Sequence, residues 1–188
     1  MSTETVDLIK ILNSIDGFKK TYEYNPFDNY AWREVLTFDY LKTYYPTIKK
    51  LGGRYGADGI CPELNLEYIE QKSTKINKRK STNDYNIRAS RYQFDLSKSL
   101  DKILTADSFL FSLFDAAASG YPVHVLFVHK PEYVAKVKEL VLQKQASFQK
   151  LAEDKKTHAH IDLIYEEIEL FGEQFGDYKP ATNIMEFI

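Results

Sequence analysis

The chain is poor in the features that most often advertise a function. Among its 188 residues there is one cysteine, Cys61, so no disulfide can form within it. That predicts a reducing, cytoplasmic setting rather than a disulfide-stapled secreted one. No apolar run approaches the ~20 residues of a membrane-spanning helix, so no membrane partner is expected. The opening Met-Ser-Thr-Glu-Thr-Val-Asp is acidic and polar, unlike a signal peptide. The formal net charge of −2 excludes a global basic field, so a nucleic-acid partner would have to be held by a local patch. The eight glycines include Gly52-Gly53-x-x-Gly56, but the lysine of a phosphate-binding P-loop is missing there. Of the four histidines, His158-Ala-His160 could grip a metal, yet no third ligand stands at motif spacing. His124 and His129 flank an apolar run and read as structural, as does Cys61. Internal repeats and low-complexity tracts are absent.

What the chain does have is a strong aromatic content, 14 tyrosines and 12 phenylalanines, and a succession of helical and extended patterns. Val6, Ile9, Leu12 and Ile15 predict a short amphipathic helix over 4–15. A second helix is expected over 30–44, behind a turn at 25–29 and ended by Pro46. From Tyr55 to Ser73 the pattern becomes β, with a turn at Pro62-Glu63-Leu64-Asn65. A third strand is expected at Tyr92–Leu96 and a helix over 107–118 stopped by Gly120. Val123–Val128 reads as a strand buried on both faces. Pro131 then opens a helix to about 152, and Ile161–Tyr165 reads as a last strand. Glu166-Glu167-x-Glu169 reads as an exposed strand edge or a helix start. Residues 171–188 carry no assignable pattern. The predicted class is therefore mixed α/β, one domain with a core at about 30–168 and a central mixed sheet of about five strands flanked by helices.

Chemistry concentrates at the β segment. Asp58 stands twelve positions before Glu70, and Lys72 follows in Glu70-Gln71-Lys72. A hairpin centred near Leu64 sets positions 58 and 70 opposite each other. Residues two apart in a strand share a face, so Glu70 and Lys72 would both point towards Asp58. Two carboxylates can hold a hard divalent cation, and the lysine can stabilise or deprotonate what that cation activates. The bland alternative is a solvated strand end, with Asp58-Gly59 as a turn dipeptide.

This cluster resembles the active site of the PD-(D/E)XK nuclease superfamily, most like that of small type II restriction endonucleases. The resemblance covers roughly residues 30–130 and makes Asp58 the first acid, Glu70 the second and Lys72 the lysine. Glu34, on the preceding helix, would be the additional acid such enzymes often carry. It implies a restriction-endonuclease-like fold and Mg²⁺ (with Mn²⁺ as a substitute) held by Asp58, Glu70 and the carbonyl of Gln71. It also implies hydrolysis of phosphodiester bonds in double-stranded DNA. The literal Pro-acid pair is Pro62-Glu63, which leaves Glu63 open as the first acid. Asp58 is favoured, because Glu63 stands too close to Glu70 for the two to face each other across a turn. Carboxylates flanking Lys72 favour an ammonium, so electrostatic stabilisation is its expected role, ahead of general base.

A basic segment follows directly. Residues 73–92 hold Lys75, Lys78, Arg79, Lys80, Arg88 and Arg91 against one acid, Asp84. Such residues supply phosphate contacts, while Asn77, Asn83 and Asn86 could read base edges and Tyr85 could stack on a base. A solvated loop is the competing reading of the same charges. Cleavage of palindromic sites would be met most simply by a homodimer. Two other functions fit the pattern: a Holliday-junction resolvase-type nuclease, or a non-catalytic nucleic-acid-binding or protein-interaction domain on the same fold. A structural scaffold with an aromatic interface is a further possibility.

Overall fold

The computed structural model describes residues 30–52, 56–78, 85–115, 121–152 and 160–176. The expected helix at 4–15, Arg79, Lys80, Asn83, Gly120, His158 and the last residues, 177–188, lie outside them.

Helix α1 (Tyr30–Leu41) leads into a short strand β1 (Lys49–Lys50) and the hairpin of β2 (Gly59–Cys61) and β3 (Leu66–Lys75). A 3-10 turn over Pro62–Leu64 joins the hairpin strands and ends at Asn65, whose φ of 54° is left-handed. Asparagine tolerates that region better than most residues, so Pro-x-x-Asn fixes the turn locally. Two short strands, β4 (Asn77–Lys78) and β5 (Tyr85–Asn86), pair with each other. Next come β6 (Arg91–Asp95), helix α2 (Leu96–Thr105) and strands β7 (Ser108–Phe114) and β8 (His124–Val128). Helix α3 (Pro131–Ala152), β9 (His160–Ile164), the short helix α4 (Tyr165–Ile168) and β10 (Glu173–Phe175) complete the described chain.

The central sheet is mixed and has six strands, in the order β1-β2-β3-β7-β8-β10, with helices on its faces. Among the described residues β3 and β7 are its one parallel pair, in register from Ile69↔Ser108 to Lys75↔Phe114. One face carries Phe109, Phe111, Leu113, Leu126 and Val128, packed with Tyr92, Phe94, Ile103 and the α3 residues Val134, Val137 and Val141. The other carries Ile69, Leu110, Val125 and Phe127 beneath Phe38 and Leu41 of α1. Tyr92 meets Phe111 edge-on, centroids 4.9 Å apart. Each such fully buried side chain contributes about 1.5–3 kcal/mol relative to exposure.

Three expectations change. Residues 108–114 are a strand, not part of a helix over 107–118. Every residue of β7 is buried, and a strand covered on both faces loses the alternation that identifies it. Phe109, Leu110, Leu113 and Phe114 happen to fall at helical spacing, but Phe111 and Ser112 between them are buried too. The helix lies earlier, at α2, where only the end of a strand is expected. The last expected strand, β9, pairs with β6 in a ribbon outside the central sheet. The sixth sheet strand is β10, from the stretch without a readable pattern, pairing antiparallel with β8. Among the described residues no helix is long and apolar enough to cross a membrane.

Candidate active site

The β2–β3 hairpin builds the site. Gly59 pairs with Ile69, and the N–H of Asp58 donates to the carbonyl of Ile69 at 2.9 Å. Position 58 therefore stands opposite position 70, as the spacing predicts. Gly59 is no turn residue: a Cβ there would overlap the Phe38 ring and lie 2.7 Å from the Lys49 carbonyl. Glycine lets β2 press against α1 and so fixes the height of Asp58.

Beyond Ile69 no strand among the described residues pairs with this edge of β3. The Asp58 side chain takes the place of a strand there: the N–H of Gln71 donates to Asp58 Oδ2 at 2.8 Å. Since that N–H points to the open edge, the Gln71 carbonyl points there too, beside Asp58. The Gln71 side chain is held on the opposite face, its amide donating to Thr37 Oγ1 and Ser112 Oγ, each at 3.2 Å.

Glu70 and Lys72 share the other face. Glu70 is only 2% exposed, and its Oε2 is buried with no hydrogen-bond partner among the described residues. Its Oε1 accepts from the Lys72 ammonium, which also donates to the Gln71 carbonyl at 3.2 Å. The same ammonium lies 5.2 Å above the centroid of Phe94. Burial pushes the Glu70 carboxyl up from the ordinary glutamate range; Lys72 opposes this, and repulsion from Asp58 adds to it. Glu34 projects from α1 to Lys50 of β1, 3.1 Å away. Its carboxyl is also raised, chiefly by burial, with Lys50 opposing and Asp58 contributing.

Sequence reasoning missed Lys102, on α2, whose Nζ stands 3.9 Å from Asp58 Oδ1. It also missed Lys50. Neither carries a motif, and both reach the site only through tertiary packing. Glu63 is separated from the cluster: it sits on the exposed 3-10 turn at the far end of the hairpin, its N–H bonded to Thr47 Oγ1 at 3.2 Å.

Of the expected DNA contacts, Lys75 lies at the end of β3, Asn77 and Lys78 form β4, and Tyr85 and Asn86 form β5. Arg88 is engaged within the chain, 2.5 Å from Glu169 and 3.9 Å from Glu166. Arg91 stands 3.5 Å from Asp162. His124 is buried, bonded to the Tyr165 hydroxyl at 2.8 Å, and burial lowers its pKa to about 4. His129 faces Glu173 at 3.3 Å.

The donor set suits a hard divalent cation: two carboxylates and one carbonyl, all oxygen, with one buried carboxylate oxygen that the protein itself leaves unbonded. Among the described residues no three His, Cys, Asp or Glu side chains gather to grip a metal alone. Magnesium does not need three, since one or two carboxylates suffice when water and phosphate complete the shell. No protein-family model and no curated protein sequence matches the chain.

Proposed function

We propose that this chain is a metal-dependent endonuclease that hydrolyses phosphodiester bonds in DNA. The observation that carries this reading is the Glu70 carboxylate, buried with one oxygen unpartnered, at a strand edge shared with Asp58, the Gln71 carbonyl and Lys72. A buried carboxylate without full compensation is costly, and such cost is retained where a site needs it.

Asp58, Glu70 and the Gln71 carbonyl would hold Mg²⁺ or Mn²⁺. Bound there, the cation supplies a Lewis acid that neutralises charge on the phosphate and acidifies water. The chain's own residues do the rest. Asp58 fixes the Gln71 peptide, so its carbonyl keeps one orientation. Lys72, lying over Phe94, presents an ammonium to the charge that grows on the phosphate oxygens. Glu34 keeps Lys50 at the rim of the site. Lys75, Lys78, Asn77 and Tyr85 follow Lys72 along the chain and would carry the substrate backbone away from the site. Sequence-specific cleavage of a palindromic duplex target would be achieved most simply by a homodimer.

The deciding experiment is a digest of plasmid and long linear DNA with Mg²⁺ or Mn²⁺, wild type beside Asp58→Ala and Lys72→Ala. Metal-dependent cutting by the wild type alone supports the reading, and discrete fragments would add sequence specificity. Equal nicking by all three proteins, or none by the wild type, would sink it. The competing reading is a non-catalytic binding domain in which Lys72 merely neutralises Glu70. The contacts of its ammonium with Glu70 Oε1 and the Gln71 carbonyl favour that reading. DNA binding without cleavage under any metal would select it.

A further inference from the structure

We infer that Lys102 is the phosphate-holding residue of this site, its ammonium taking a non-bridging oxygen of the phosphodiester bound beside Asp58 and Glu70. The inference rests on the nuclease reading and adds to it a residue from α2.

Two observations carry it. First, Lys102 is largely enclosed, 20% exposed, yet its ammonium makes no hydrogen bond among the described residues. Its nearest charge partner, Asp58 Oδ1, is 3.9 Å away, beyond hydrogen-bond reach. An ammonium has three donors, and among the described residues none of them is taken. Second, the carboxylate it faces is already engaged: Asp58 Oδ2 accepts from the Gln71 N–H.

The charges around the site explain why an anion would follow a cation. Glu34, Asp58 and Glu70 are balanced by Lys50, Lys72 and Lys102. A divalent cation held by the carboxylates makes this balanced set cationic, and a phosphodiester is the anion that restores it. Lys50 is paired with Glu34, and Lys72 gives two of its three donors to Glu70 and the Gln71 carbonyl. Of the three, Lys102 is the ammonium that makes no hydrogen bond among the described residues.

The test compares wild type, Lys102→Met and Lys102→Arg, with Lys42→Met as a control for lost charge away from the site; Lys42 is exposed and pairs with Asp39. Mn²⁺ affinity is measured by electron paramagnetic resonance. Affinity for a fluorescein-labelled DNA duplex is measured by anisotropy in Ca²⁺ and in EDTA, and thermal melting checks folding. Lys102→Met should bind Mn²⁺ as tightly as wild type or more tightly. It should lose Ca²⁺-dependent duplex affinity by roughly ten- to hundredfold, the worth of a charge-assisted hydrogen bond. Lys102→Arg should keep most of that affinity.

Wild-type duplex affinity in Lys102→Met, or a loss no larger than that of Lys42→Met, would overturn the inference while leaving the nuclease reading intact. Loss of Mn²⁺ binding in Lys102→Met would overturn it too, since Lys102 would then be positioning Asp58. A wild type that binds Mn²⁺ and duplex but never cuts overturns the nuclease reading, while the affinities still decide the role of Lys102. A wild type that binds neither overturns both.

Discussion

Asp58 closes the β3 edge that β2 leaves open: its Oδ2 accepts the Gln71 N–H at 2.8 Å, in the place where a neighbouring strand would offer a carbonyl. The same carboxylate is a proposed cation ligand, so its structural and chemical roles can be separated by substitution. Asp58→Asn keeps an acceptor for Gln71 but removes the charge, whereas Asp58→Ala removes both. Asp58→Ala should be less stable than Asp58→Asn by about 1 kcal/mol, the net worth of a hydrogen bond, as read by urea denaturation. Both should lose Mg²⁺-dependent cleavage. Equal stability of the two variants would show that the side chain does not hold the strand edge.

Lys72 touches two of the three groups proposed as cation ligands, the Glu70 carboxylate through Oε1 and the Gln71 carbonyl. Its ammonium therefore competes with a metal ion for them. Lys72→Met should raise Mn²⁺ affinity in a calorimetric titration while cleavage falls by 10² or more, on the order expected for losing an electrostatic stabiliser. Weaker Mn²⁺ binding in the variant would exclude the competition.

Glu70 carries a raised pKa in the folded protein, through burial first and Asp58 repulsion as well. A carboxyl raised on folding binds its proton more tightly in the native state than in the unfolded one. Its penalty is absent below the unfolded value of 4.5 and grows as pH rises through the higher folded value. Glu70→Gln should therefore melt at a higher temperature than wild type at pH near 7, and the gain should vanish at pH below about 4. The variant should also lose Mn²⁺ binding. A melting temperature below wild type at neutral pH would mean that the Lys72 contact outweighs desolvation.

Gly59 and Glu63 test the hairpin from its two ends. Gly59→Ala forces a methyl into the Phe38 ring and the Lys49 carbonyl, and should destabilise by about 1–3 kcal/mol, as overpacking does. Glu63→Ala, on the exposed turn, should leave cleavage within error of wild type. A nuclease defect in Glu63→Ala with Asp58→Ala still active would reverse the assignment of the first acid.

The hairpin was legible because its turn chemistry is local. Pro62 and Asn65 mark the reversal, and counting outward from it sets Asp58 against Glu70. The ends of α3 were legible for the same reason: Pro131 supplies a start, and Val134, Val137 and Val141 a stripe. The β7 strand was not, because Ser108-Phe-Leu-Phe-Ser-Leu-Phe114 is buried on both faces and carries no period by which to tell strand from helix. Misreading it hid α2 and with it Lys102, whose nearness to Asp58 arises only when the helix packs. Arg88 and Arg91 looked free for DNA in the sequence. Their partners, Glu169 and Asp162, are remote in the chain and meet them only through the fold of α4 and β9.

The parallel pairing of β3 with β7 has a consequence for how the site could be altered. Two parallel neighbours cannot be joined by a tight turn, so the chain must leave the sheet after β3 and travel back to its starting end. Lys72 lies on the outbound strand and Lys102 on the helix just before re-entry, with the basic segment and Phe94 between them along that detour. The two ammoniums are therefore not independent ornaments of a surface. They mark the departure and the return of one excursion, and grafting this chemistry onto another sheet would mean moving the whole excursion rather than a handful of side chains.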